Sequence, residues 1–227
     1  MTDTMTNATN ATSPGPTSRP STVITSPDGA PALIYDALIL AGGRGSRMAG
    51  RDKGWVMWNG HPLIEHVLER LSRQTVMPER TMISANRNLD AYKQTGHKVV
   101  TDERADFFGP LAGVEAGLMR CKKNWLLVVP CDTPLLPADL FTQLHAAITE
   151  QTGTLAAYAV SPDGPQPLCC LLHPSISGSL SRFLDAGHGS VVDWLEQAGA
   201  VPVAFPDSVA FSNFNSMDMF QTLRSPA

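Results

Sequence analysis

No apolar run in this 227-residue sequence approaches the ~20 residues a membrane-spanning helix needs, which argues against a transmembrane protein. Cysteine is scarce: Cys121, Cys131, Cys169 and Cys170 include no C-x-x-C pair, which removes the usual structural zinc site and the thioredoxin-type motif. A reduced, cytoplasmic chain fits this usage. An excess of positive charge is also missing. With a net charge of −4 and a pI near 5.8, the chain lacks the broad basic face of a nucleic-acid binder. The histidines, at positions 61, 66, 97, 145, 173 and 188, show no metal-ligand spacing and receive no role.

What is present is uneven along the chain. Residues 1–30 hold eight Thr, four Ser and four Pro, with Asp3, Arg19 and Asp28 as the only charges, so nothing there offsets the entropy of ordering. That segment also lacks the basic start and apolar stretch of a secretory signal. The expectation is a disordered tail over 1–34 and a single domain over 35–227.

From Tyr35 the pattern becomes short apolar runs alternating with amphipathic segments. Strands are expected at 35–41, 81–85, 98–101 and 125–129. Helices are expected at 62–74, 89–94, 111–121 and after Pro137, where Leu140, Phe141, Leu144 and Ile148 share a face. This alternation predicts an α/β fold: a three-layer, Rossmann-like sandwich around a mostly parallel sheet. The last third differs. Residues 155–160 and 167–172 read as strands joined across a Ser-Pro-Asp-Gly-Pro turn, giving the sheet an antiparallel portion. Helices at 180–186 and 191–198, a strand at 201–205 and a final helix at 216–223 complete the pattern. Cys169 and Cys170 point to opposite faces of their strand as small hydrophobes.

The chemistry gathers where predicted strands end, the place where open parallel sheets bind ligands. After the first strand comes Leu40-Ala-Gly-Gly-Arg-Gly-Ser-Arg-Met-Ala-Gly-Arg-Asp-Lys-Gly54. Gly42, Gly43 and Gly45 let backbone N–H groups approach an anion, while Arg44, Arg47, Arg51 and Lys53 concentrate positive charge. The loop is neither a P-loop nor a dinucleotide fingerprint, because Gly-Lys-Ser/Thr is missing and Met48 stands where the third glycine belongs. Asp132 follows the strand at 125–129, where a carboxylate beside phosphates would hold Mg²⁺ and a turn-capping role is the alternative. Asp102 ends a third strand. Ser84-Ala-Asn-Arg-Asn88 follows a fourth, with side chains suited to a base or ribose.

Taken in order, Leu-Ala-Gly-Gly-x3-Arg-Met-x4-Lys, Ala-Asn-Arg-Asn, Asp102 with Gly-Pro-Leu-Ala-Gly113, Pro-Cys-Asp-Thr-Pro134 and Asn213-x-Asn215 resemble the molybdenum cofactor guanylyltransferase family. The resemblance runs from about Tyr35 to the C-terminus. It implies the nucleotide-diphospho-sugar transferase type of fold and transfer of GMP from GTP to molybdenum-molybdopterin. Leu40, Ala41, Gly42 and Gly43 would then contact the nucleotide through the backbone, Lys53 its phosphates and Asp102 its nucleoside, and Asp132 would hold Mg²⁺. Arg47 and Lys53 would neutralise charge during transfer. Asn213 and Asn215 would lie on the pterin side. Ser84 stands where some members have asparagine, and Ser216-Met217 where members often have Thr-Pro. Molybdoenzymes or their chaperones are the implied recipients. Two alternatives stay open: a transferase using CTP or a sugar phosphate, and a carrier that binds the finished cofactor without making it.

Overall fold

A computed structural model describes residues 33–42, 52–104 and 109–214. All of these but Leu33 belong to the compact unit Ile34–Ala227. In chain order the elements are β1 (Tyr35–Leu40), β2 (Met57–Trp58), β3 (His61–Pro62), α1 (Leu63–Ser72), β4 (Arg80–Ser84), α2 (Leu89–Gln94), β5 (Lys98–Val100) and α3 (Pro110–Arg120). There follow β6 (Trp125–Pro130), α4 (Leu140–Glu150), β7 (Ala156–Ser161), β8 (Gly164–Leu172), α5 (Ser177–Asp185), α6 (Val191–Gln197) and β9 (Val201–Ala204).

Seven strands form one sheet in the order β5-β4-β1-β6-β8-β7-β9. β1 pairs in parallel with β4 and β6, and β5 extends the sheet beyond β4 in the same sense. β8 alone among the seven runs the other way, antiparallel to both β6 and β7, while β9 is parallel to β7. This is the mostly parallel sheet with a reversed portion in the last third that the sequence predicts. The proposed helix at 216–223 lies outside the described residues.

Period-two alternation divides the strands between two cores. Tyr35, Ala37 and Ile39 of β1, Leu127 and Val129 of β6, and Cys169 and Leu171 of β8 join α1 and α4 on one face. Leu38, Leu126, Val128, Cys170 and Leu172 join α3, α5 and α6 on the other. Cys169 and Cys170 therefore do face opposite ways as packing residues. Helix α3 lies close over the sheet: a Cβ on Gly117 would come within 2.5 Å of Leu38, and one on Gly113 within 2.5 Å of the Ser84 hydroxyl.

The sequence reading passed over the small β2–β3 hairpin. Its turn is Asn59-Gly60, both with positive φ, the two-residue pattern that suits the twist of paired strands. A buried ion pair was also not anticipated. Asp36, fully buried in β1, sits opposite Arg80 of β4 in register, and the guanidinium donates to Asp36 Oδ2 at 2.6 Å. The Lys122 N–H donates to the same oxygen at 2.8 Å, and Arg80 also reaches the Arg120 carbonyl at 2.8 Å. Removing one partner of such a pair leaves a buried charge uncompensated. Arg80→Met is expected to cost about 3 kcal/mol, and a compensating Asp36→Leu should recover much of it. Urea denaturation of the single and double variants checks this.

Candidate active site

The parallel register sets the ends of four strands at one level. Leu40 of β1 lies beside Ser84 of β4 and Pro130 of β6, and Ser84 lies beside Val100 of β5. Two residues beyond each end stand Gly42, Asn86, Asp132 and Asp102. A cleft of about 290 Å³ opens at this edge, bounded by residues 40–42, Lys53, Arg87, Gly109, Pro110, residues 130–132 and Leu168. The N-terminus of α3 borders it. There Gly109, at φ 65° and ψ −148°, takes a conformation that side chains exclude, and Pro110 opens the helix.

Lys53 Nζ meets Asp132 Oδ2 at 3.0 Å across the cleft, so the strongest cation and carboxylate of the sequence reading are brought together. Lys53 opens a 3₁₀ turn, Lys53–Trp55, capped by Asp52. Asp52 is buried and accepts from the Gly54 N–H at 3.2 Å, the Tyr92 hydroxyl at 2.6 Å and Asn88 Nδ2 at 2.9 Å, with Arg87 Nε 3.9 Å away. Burial together with the Asp52 bond pushes the Tyr92 phenol well above its ordinary range, so it stays a donor. Gly54 has no room for a side chain, because a Cβ there would strike the Tyr92 hydroxyl. This assembly ties the residue before Lys53 to the loop after β4.

Asn86 donates through Nδ2 to Asp102 Oδ2 at 2.7 Å and accepts the Asp102 N–H at 3.0 Å. Asn86 and Asn88, expected to bond a base or ribose, thus spend these groups inside the protein, joining Asp102 and Asp52 to β4. Asn86 thereby satisfies one oxygen of Asp102, and Asn88 adds a third donor to Asp52 beside the Gly54 N–H and the Tyr92 hydroxyl. Asp102 Oδ1 is buried and has no hydrogen bond among the described residues. It borders a narrow recess with Leu40, Gly42, Ser84, Gly109, Pro110 and Gly113. Burial pushes the Asp102 carboxyl upward, the Asn86 bond opposes this, and the charge of Glu115 adds to it. Arg104 fixes the segment behind Asp102 through both oxygens of Glu115, at 2.6 and 2.8 Å, and through Asp185 at 2.7 Å. Its guanidinium holds the Glu115 carboxyl below the usual range.

Ser84, almost fully buried, reaches the site as part of that recess. Leu40, Ala41 and Gly42 line it or the main cleft. Asn213 borders a second compartment with Lys53 and Asp132, and the adjacent Phe214 N–H donates to the Asp132 carbonyl at 2.9 Å. Phe214 is fully buried against Leu63 and Trp58, which anchors Asn213 at the cleft. Gly43, Arg47 and Asn215 lie outside the described residues. Arg87, in the Asn/Arg cluster expected to suit a base or ribose, borders the main cleft, whereas Asp52, Leu168 and Gln166 were not expected at the site. For Asp52 the signal was present, since it sits inside the glycine-rich motif just before Lys53.

Cys131 lines the cleft, where burial pushes its thiol up and disfavours the thiolate that a nucleophile needs. No histidine borders either compartment among the described residues.

A family model described as the MobA-like NTP transferase domain matches residues 37–201. A molybdenum cofactor guanylyltransferase of Cupriavidus metallidurans is 45% identical over 185 residues, covering 80% of this chain and 90% of the relative. One from Cupriavidus pinatubonensis is 44% identical over 189 residues, covering 82% and 94%. A crystal structure of molybdopterin-guanine dinucleotide biosynthesis protein A from Archaeoglobus fulgidus superimposes with a TM-score of 0.62 at 24% identity, covering 82% of this chain and 95% of that one, a likeness of fold. With its Gly-rich loop, its paired Lys53 and Asp132 and matches of this extent, the chain belongs to the molybdenum cofactor guanylyltransferase family of MobA-like NTP transferases.

Proposed function

We propose that this nucleotidyltransferase moves GMP from GTP to the terminal phosphate of molybdenum-loaded molybdopterin, forming the guanine dinucleotide cofactor and pyrophosphate. The observation that carries this reading is the Lys53–Asp132 pair at 3.0 Å, standing where two compartments of one cleft meet, in a chain whose relatives are named for this activity. An acceptor phosphate oxygen attacks the α-phosphorus, and the bond from that phosphorus to the bridging oxygen of the β-phosphate breaks. The nucleophile is already ionised near neutral pH, so no general base is needed. The enzyme's task is to hold anions together in line.

Residues 40–42 and the N-terminus of α3 would cradle the nucleotide, with Gly43 and Arg47 continuing the loop. Asp102 and Ser84 would meet the nucleoside in their recess, where the unbonded Asp102 Oδ1 supplies an acceptor for a base or ribose donor. Lys53 would turn from Asp132 to the phosphates. Mg²⁺ is commonly held by one or two carboxylates completed by substrate phosphates. Asp132 fits that pattern: its Oδ1 makes no hydrogen bond among the described residues, and no cluster of three ligating side chains exists among them to form a closed metal site. When bound there, Mg²⁺ supplies charge neutralisation at the phosphates. Asn213 and Asn215 would lie toward the pterin. Molybdoenzymes or their chaperones are proposed to receive the product, and the free cysteines suit a cytoplasmic setting. We place the whole activity in one domain, 35–227, with 1–34 as a tail outside it.

Lys53→Ala and Asp132→Ala should each abolish GTP-dependent pyrophosphate release while leaving the circular dichroism unchanged; normal turnover in Asp132→Ala would overturn this site. GTP should outcompete CTP in equilibrium binding, and a preference for CTP would move the enzyme to a different donor. Asp52→Ala should lower kcat by on the order of 10²-fold, the scale of misplacing a reacting group by about 1 Å, as steady-state kinetics would show.

A further inference from the structure

Strand β8 pairs with β6 only through Leu172, Leu171 and Cys170. Beyond Cys170 it departs, just where residues 130–132 emerge from β6. On its other edge, Tyr158 of β7 faces Cys170 while the next residue, Ala159, faces Gln166, so residues 167–169 form a bulge opposite nothing in β7. Prolines at 165 and 167 lack the N–H that would continue a ladder on either side of Gln166. The departure opens the sheet, and a compartment of about 310 Å³ lies along it. Pro165, Gln166, Pro167 and Leu168 form one wall, and Lys53 and Asp132 are shared with the nucleotide cleft.

Gln166 is the polar group in this wall, and its orientation is fixed. Nε2 donates to the buried Ser161 hydroxyl at 3.1 Å and approaches the Gly164 carbonyl at 3.5 Å. Ser161 itself donates to Gly164 at 3.3 Å. With the nitrogen end held by the hairpin turn, the carbonyl oxygen is left without a hydrogen bond among the described residues. It is an acceptor with no donor, on a side chain that borders the compartment.

We infer that this wall reads the acceptor substrate: Gln166 Oε1 accepts an N–H from the edge of a planar heterocycle whose face packs on Pro167 and Leu168. A ring amide or exocyclic amine suits a fixed acceptor beside apolar walls better than a sugar, whose hydroxyls need donors as well as acceptors around them. The ring so held directs its phosphate toward Lys53 and Asp132. This rests on the acceptor named in the proposed reaction.

The test uses the full chain with GTP, Mg²⁺ and molybdenum-loaded molybdopterin, measuring the KM of each substrate separately. Gln166→Leu, which keeps the volume and removes the acceptor, should raise the KM for the pterin substrate about tenfold and leave that for GTP unchanged. Ser161→Ala, which frees the amide, should raise the same KM by a smaller factor. GTP binding by calorimetry verifies that each variant is folded. An unchanged pterin KM in Gln166→Leu, or an equal rise in both KM values, overturns the acceptor wall while the reaction stands. Absence of guanine dinucleotide formation by the unaltered protein overturns the reaction itself, and the wall with it.

Discussion

Parallel pairing of β4, β1 and β6 in register brings Ser84, Leu40 and Pro130 to one level, and β5 adds Val100. A peptide strand carries its chemistry forward only as far as its last paired residue, so an even row of endings makes an even row of loop starts. Gly42, Asn86, Asp132 and Asp102 each follow two residues later. A step of two residues cannot wander far, which is why residues remote in sequence share one cleft edge. The buried Asp36–Arg80 pair joins β1 to β4 in that same register, and a slip of one residue would separate the two charges.

Above the row, buried carboxylates do the positioning. Asp52 is unavailable to a ligand because three donors already occupy it, and that occupation sets the turn carrying Lys53. Asp132 differs. Among the described residues its side chain pairs with Lys53 alone, a flexible cation able to exchange one anion for another. The contrast separates an occupied carboxylate from an available one, although the two look alike as residues beside a glycine-rich loop and a proline.

Much of the fold was legible because its periods were clean. Apolar runs such as residues 125–129, and 35–41 with Asp36 as its one interruption, mark buried parallel strands, and the stripes of α1 and α4 mark helices. The glycine-rich loop and the strand-end aspartates were legible as motifs for the same reason: they break the apolar pattern at its edges. The partners of Asn86 and Asn88 were not legible, since a side-chain amide reaches inward or outward equally well and only its neighbours decide. Gln166 gave no signal, because the bulge that presents it depends on where β8 leaves β6.

The sequence by itself determined the alternation of elements, the faces that must be buried and the strand-end loops rich in glycine and carboxylate, since these follow from hydrophobic period and backbone freedom. Only the tertiary structure decided which carboxylate is spent and which is available, and where the cleft divides. Those outcomes turn on distances of about 3 Å between residues such as Lys53 and Asp132, which are 79 positions apart. Local pattern carries no information at that range; strand register does.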